Sequence, residues 1–346
     1  MSFPLLKLPF IPLELILLNA NLAELTHFSM ISKRCYRLVN NLRIPYLQCL
    51  DLHVTKESTQ IKFKAGKVVC NGGWHFLKYT AGDDGEEDTL IDRFIGNCEI
   101  KTFILEDRIY SLTKGDVKLS VEAGYEYLMN LFKVKVYRGY LFADDVPMTR
   151  QPYFYPFKHI DIIHIRGKKA MENEDFKKAL NDTTAQLELF VSIPVNIDFR
   201  FEQFRIEAKY LSFCKHAFWI RSKMFLNFDL KYLRLHECIL YPIDCQLFVT
   251  RWLHSDNTTF ETLVITLLYP PEMTDFDGLE PVPFDAERRK FGFKFNYSTY
   301  FDCTNGFDII RHDGLLATIL IQGFYFVFHV WHDRFPDVEG LVNFIN

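Results

Sequence analysis

The sequence predicts an α+β / α/β protein: a small N-terminal unit of three helices, then an irregular repeating α/β body that ends in antiparallel strands. Three observations predict it. The first 45 residues place apolar side chains at helical spacing, with residues suited to helix starts ahead of the runs. Between about residues 158 and 268, strand-like runs recur with helical patterns in two of the intervals, a period of about 20–30 residues. The last stretch alternates short aromatic and β-branched runs with turn residues.

Pro9 and Pro12 stand before the helical run 13–20, where Leu13, Ile16 and Leu17 fall at i, i+3, i+4. Pro12 suits a first turn because its missing N–H would be unpaired there anyway. Asn21, with Glu24 three residues on, is a capping-box-like start for a second helix striped by Leu22, Leu25 and Phe28. Ser32 caps a third, with Cys35, Leu38, Val39 and Leu42 on one face. A unit of this size buries too little surface to be secure by itself and needs the following domain or a partner.

From about residue 48 the pattern turns strand-like. Residues 60–64 alternate polar and apolar, as a half-buried strand does. Ala65-Gly66 and Asn71-Gly72-Gly73 read as turns around residues 67–70. The acidic run 82–88 lacks the alternation and the closing Glu of a calcium loop, so it reads as a solvated loop.

Strands are expected at 160–165, 187–193, 204–213, 230–235 and 263–268, and helices near 173–182 and 243–255. A strand-then-helix unit at this spacing is leucine-rich-repeat-like, with an ordinary α/β sheet as the alternative. After Pro270-Pro271 a Pro-rich, acidic loop runs to about residue 288. Strands follow at 291–295, 300–302, 307–311, 315–321 and 324–331, with turns at Thr304-Asn305-Gly306, Asp313-Gly314 and Gln322-Gly323.

Composition sets the functional bounds. The 346 residues carry 40 Lys plus Arg and 44 Asp plus Glu, a net charge of −4, which argues against a nucleic-acid protein with a dominant basic surface. Hydrophobic residues make up 49% and charged residues 24%, which excludes disorder of the whole chain. With 34 Phe, 17 Tyr and 4 Trp, the aromatic content favours strands. The eight cysteines include no CxxC pair, so they read as free thiols of a reducing compartment, cytoplasmic or nuclear. The three Asn-x-Ser/Thr sequons, at Asn181, Asn257 and Asn296, then read as chance matches. The apolar start lacks a basic n-region and is broken by prolines and Glu14, unlike a signal peptide. Residues 315–331 contain no Asp, Glu, Lys or Arg, but their central Gln-Gly favours a hairpin over a membrane span.

Leu8-Pro9, the Leu13-x-x-Ile16-Leu17 helix, the Leu22-x-x-Leu25-x-x-Phe28 helix and Ser32-Lys33-Arg34 together resemble an F-box. With the opening Phe3-Pro4-Leu5-Leu6, they are similar to the large nematode F-box families. Asn19-Ala20-Asn21 departs from the acidic-proline start common at the second helix, but Asn still caps. The run FDCTNGFDIIRHDGLLATI, ending in HVWH, and the LKYLRLHECIL–FVTRWLHS–FETLVITL block resemble the F-box-associated domain type 2 of the same families. The resemblance implies an F-box at 1–45 and an F-box-associated domain at 158–346, joined by a β-rich region at 46–157.

It also implies a substrate-recognition subunit of an SCF-type ubiquitin ligase. Such a subunit bridges a Skp-type adaptor, and so the cullin ligase complex, to a target protein. Adaptor docking is expected at Leu8, Pro9, Leu13, Ile16 and Leu17, with Leu25 and Phe28 shared between partner and core. Outward strand residues His164, Arg166, Tyr232, Arg234 and His236 are the expected target face. A binding scaffold without ligase association is the alternative. No GxxxxGK[ST], GxGxxG, HExxH or GxSxG occurs, and the Cys and His spacings fit no zinc site. The expectation is a non-enzyme with no cofactor, no metal, no membrane span and no nucleic-acid partner.

Overall fold

The computed structural model describes residues 5–44, 46–55, 57–65, 68–78, 90–143, 160–295 and 299–332. The acidic run 82–88, Phe3-Pro4 and Asn296 lie outside these residues. The described chain is a mixed α and β protein, mostly sheet, and it divides into two compact units. One comprises residues 1–169 and 174–184, the other 170–173 and 185–346.

The first unit opens with a one-turn 3-10 helix, Leu5–Lys7, then α1 (Phe10–Leu18), α2 (Leu22–Ser29) and α3 (Lys33–Asn41). Pro12 is the third residue of α1, among the positions whose N–H has no helical partner. Asn21 accepts from Glu24 N at 2.8 Å while Glu24 accepts from Asn21 N at 2.9 Å, so the predicted capping box is complete. Ser32 accepts from Cys35 N at the start of α3.

Next come β1 (Leu47–Val54), β2 (Thr59–Ala65), β3 (Val68–Lys78), β4 (Ile91–Ile95), β5 (Cys98–Leu105) and β6 (Arg108–Thr113). Then follow α4 (Val117–Phe132), β7 (Val136–Phe142), β8 (Ile160–Arg166) and α5 (Asn173–Asp182). The strand order is β8-β7-β1-β2-β3-β6-β5-β4. β8, β7 and β1 run parallel, as do β3 and β6, and the other pairs are antiparallel.

One face of this sheet is core. Leu50, Leu52, Val54, Ile61, Phe63, Trp74, Phe76 and Ile109 are completely buried, together with Val121 and Leu128 of α4. The Tyr127 ring of α4 meets Trp74 edge-on at 6.2 Å.

Two readings of this unit need correction. Gly72-Gly73 is no turn, because β3 runs straight through it. A Cβ at Gly72 would lie 2.8 Å from the Asp107 carbonyl, and one at Gly73 2.7 Å from that of Ile61. The glycines mark close backbone approach beside a bulge in the β2–β3 pairing. The helix α4 was not predicted, although Asp116 caps it and Val117, Val121, Leu128 and Leu131 form its buried stripe.

The second unit holds β9 (Ala185–Ser192), β10 (Tyr210–Phe213), α6 (Ser222–Leu226), β11 (Tyr232–Cys238), α7 (Pro242–Leu253) and β12 (Thr262–Leu267). A 3-10 turn, Met273–Leu279, leads to β13 (Val282–Pro283), β14 (Gly292–Lys294), β15 (Tyr300–Asp302), β16 (Phe307–Ile310), β17 (Leu316–Gln322) and β18 (Tyr325–Trp331). The order is β9-β10-β11-β12-β18-β17-β16-β13. The first four strands are parallel and sequential, and the rest join antiparallel. Leu189, Leu211, Leu233 and Leu263 sit in one cross-strand register row and are all buried. β14 and β15 form a separate antiparallel pair.

The predicted strand 204–213 is confined to Tyr210–Phe213. The residues before it build an aromatic cluster instead: Phe199, Phe201 and Phe204 surround Trp219 at centroid distances of 5.1, 6.5 and 5.4 Å. The 315–331 segment is a hairpin, but its turn is Gly323-Phe324, since Gln322 pairs with Tyr325. Gly323 at φ +58° takes the first turn position, where a positive φ favours glycine. Among the described residues no helix is long and apolar enough to cross a membrane.

Candidate functional site

The helix α1 is apolar nearly all round, and burial sorts its side chains. Leu13 and Leu17, one turn apart, face inward at 3% and 5% exposure. Ile11, Leu15 and Ile16 stand exposed at 69, 59 and 45%, with Phe10 at 53% beside them. An apolar strip on a helix of a folded unit is the kind of feature that marks a docking surface.

The three helices are fastened to the rest of their unit. Arg93 of β4 donates to the Met30 carbonyl at 3.0 Å and meets His27 Nε2 at 2.9 Å. Burial, then the Arg93 charge, lowers the His27 pKa. Ser29 and Tyr127 share a hydrogen bond of 2.7 Å, and Asn40 donates to the carbonyls of Asn130 and Leu131. Arg34 donates to the Leu6 carbonyl at 2.8 Å.

Of the seven residues expected on the adaptor face, Pro9 and Ile16 are exposed, while Leu8 and Phe28 are half-buried. Leu13 and Leu17 are buried against the rest of the unit, and Leu25, expected to be shared with the core, is buried as well. The reason is helical phase: the i, i+4 pair that reads as a motif is the pair that meets the molecule's own interior. Phe10, Ile11 and Leu15, which the expectation did not include, are exposed.

The five expected target-face residues fall in both units. In the first, Arg166 Nη2 and His164 Nδ1 lie 3.0 Å apart, and the Arg166 guanidinium stands 5.7 Å from the Tyr140 ring centroid. In the second, Tyr232 and Arg234 are half-buried. The Phe295 ring, next to β14, meets Tyr232 at 5.3 Å and lies 5.4 Å from the Arg234 guanidinium. Burial raises the Tyr232 pKa. The β14–β15 pair thus occupies part of the face expected to stay open. Nearby, Glu237 bridges His216 Nε2 at 3.2 Å and His236 Nδ1 at 3.6 Å. Both Glu237 and His216 adopt positive φ.

A cavity of about 410 Å³ lies beside the start of α2, lined by Asn21, Leu22, Ala23, Tyr46, Phe63, Gly72 and Asp107, with Asp107 its one carboxylate. Among the described residues no three His, Cys, Asp or Glu side chains are placed to hold a metal. Seven described cysteines, Cys35, Cys49, Cys98, Cys214, Cys238, Cys245 and Cys303, are free thiols. Burial pushes the Cys238 and Cys303 thiols up to about 12, the opposite of an activated nucleophile.

Comparison with known proteins gives two relatives in Caenorhabditis elegans, both described only as uncharacterized proteins. One is 24% identical over 371 aligned residues, covering 98% of this chain and 80% of the relative. The other is 24% identical over 365, covering 99% of this chain and 82% of the relative. No family model matches the chain, and no solved structure matches it.

Proposed function

We propose that this protein is the substrate-recognition subunit of an SCF-type ubiquitin ligase, docking a Skp-type adaptor through its N-terminal helices and holding a target protein with its sheet-rich body. The observation that carries the reading is the exposed apolar strip of α1, formed by Phe10, Ile11, Leu15 and Ile16. Such side chains suit a helix-in-groove contact, in which a few anchors dominate the binding energy. The nematode origin of both relatives agrees with the resemblance. The parallel, sequential strands β9 to β12 are read as the leucine-rich-repeat-like part of an F-box-associated domain. The ligase would act by proximity, holding the target near the ubiquitin-transfer enzyme, with no chemistry of its own.

The test is a pull-down of purified Skp-type adaptor by the full chain and by Ile11→Asp/Leu15→Asp. Both positions are exposed, so the variant keeps its fold and should lose the adaptor. Equal capture by both chains, or none by the folded wild type, overturns the reading. One observation favours a second reading, a binding scaffold with no ligase. Arg93, Tyr127 and the Asn130 and Leu131 carbonyls tie the three helices to the sheet, as in a structural cap.

A further inference from the structure

Six large apolar side chains gather at one edge of the second unit. β11 and β12 run parallel, with Cys238 opposite Leu267 at their ends. Leu268 and Tyr269 leave the end of β12, and Tyr241 and Ile243 stand at the start of α7, which follows β11. The β17–β18 turn reaches the same edge, because Leu267 N–H donates to the Phe324 carbonyl at 2.9 Å and Thr266 pairs with Tyr325. All six side chains are exposed, Tyr269 the most at 70%. Single exposed apolar residues are ordinary, whereas a group brought to one edge is the mark of a contact surface.

The charge around them is one-sided. Residues 238–287 contain nine Asp and Glu but one Lys or Arg, Arg251, which donates to the Leu226 carbonyl at 2.7 Å. Three of the nine are engaged: Asp244 accepts from Tyr241 N, Glu261 pairs with Lys231, and Asp285 pairs with Arg288. Glu272, Asp275, Asp277 and Glu280 lie in or beside the 3-10 turn Met273–Leu279. Among the described residues none of these four pairs with a Lys, Arg or His. The turn is fixed beside the apolar edge. Phe276 stacks on Phe326, the neighbour of Tyr325, at 5.8 Å and 13°, and the turn packs against α7. Asp275 Oδ2 accepts from Glu272 N at 2.9 Å.

We propose that this edge docks a basic, apolar segment of a partner protein. Its apolar side chains rest on Leu268, Tyr269 and Phe324, and its Lys and Arg side chains face Glu272, Asp275, Asp277 and Glu280. Charge complementarity selects this occupant. Carboxylates without cation partners repel the phosphates of a nucleic acid or of an anionic membrane. Among the described residues no three carboxylates are placed to hold a metal, so the cations of the occupant are side chains. The exposed rings act in the same direction, since Lys and Arg are drawn to aromatic faces while the rest of the ring offers apolar area. The inference stands independently of adaptor docking, because it uses none of the N-terminal helices.

The experiment is fluorescence anisotropy with the full chain and three labelled ten-residue peptides: one alternating Lys and Tyr, one with Gln for Lys, and one with Ser for Tyr. Saturable binding of the Lys-Tyr peptide, weakened by salt, is expected, with the other two binding at least tenfold more weakly. Asp277→Lys/Glu280→Lys should weaken it by about tenfold or more. Asp277→Asn/Glu280→Gln is the milder variant, checked for fold by circular dichroism, and should weaken it less. Asp198→Lys/Glu202→Lys makes the same charge change at exposed positions elsewhere in the unit and should bind like the wild type. No binding of the Lys-Tyr peptide, equal binding of all three peptides, or equal loss in the Asp198/Glu202 control would overturn the proposal. Adaptor capture by the same charge variants should be unaffected, which separates this test from that of the ligase.

Discussion

Arg289 Nε lies 2.7 Å from Asp308 Oδ1, and both side chains are fully buried. The guanidinium stands between Phe284 and Trp331, 4.5 and 5.1 Å from their ring centroids, and also donates to the carbonyls of Lys290 and Cys303. Thr318 donates to the same carboxylate oxygen and accepts from Trp331 Nε1 at 2.7 Å. One ion pair therefore ties the loop after β13 to β16, β17 and β18. Removing one partner of a buried pair leaves an uncompensated charge, so Asp308→Ala should cost about 3–5 kcal/mol. Arg289→Met/Asp308→Leu removes both charges and should recover much of that loss. Urea unfolding measures it, and a double variant no more stable than the single would refute the argument.

His329 sets a pH dependence in the same unit. It is stacked on Phe293 at 3.8 Å and shares a hydrogen bond of 2.9 Å with Thr262 Oγ1. Burial, then His332 and Arg289, lowers it from 6.5 to about 3. The unfolded chain thus binds a proton below pH 6.5 that the folded chain refuses until about pH 3. Its contribution is complete above pH 6.5 and is lost as pH falls through that window. Unfolding free energy measured from pH 7.5 to 4.5 should decline. In His329→Phe the decline should be shallower by up to about 1.4 kcal/mol per pH unit. An identical slope in the variant would remove His329 from the account.

The sequence showed local chemistry well and tertiary chemistry poorly. Asn21, Glu24 and Ser32 were legible because a cap is satisfied within three residues of itself. Most strands of the second unit were legible because their apolar runs are short and bounded by turn residues. The exposed side of α1 was not, since a helix with apolar residues on every side carries no phase, and its burial is decided by what it packs on. The cover of Phe295 over Tyr232 and Arg234 was equally hidden, because it joins segments about sixty residues apart. Gly72-Gly73 misled for a related reason: glycine serves a turn and a close strand contact alike.

The capping box gives a measurable local prediction. Asn21→Ala removes the acceptor for Glu24 N and should destabilise the chain by about 1 kcal/mol, whereas Asn21→Asp keeps an acceptor and should be near neutral. Thermal unfolding of the two variants side by side decides it. Equal midpoints would mean that packing alone holds α2 in place.

Gly124 sets helix propensity against packing. It lies within α4, where alanine is intrinsically better by about 1 kcal/mol. A Cβ there would meet Phe76 Cζ at 2.3 Å and Cε1 at 2.8 Å. Phe76 is fully buried and stacked on Trp74 at 5.1 Å, so its ring has little room to retreat. Overpacking a core typically costs about 1–3 kcal/mol. Packing should therefore win, and Gly124→Ala should be destabilising despite the better helix former. Gly124→Ala/Phe76→Leu opens space at the contact and should show a positive coupling between the two sites. Gly278→Ala, where nothing lies within 4 Å of the new methyl, is the control expected to be near neutral. A stabilised Gly124→Ala in urea unfolding would show that α4 can shift away from the sheet, and that its seat on Phe76 is looser than the 2.3 Å approach implies.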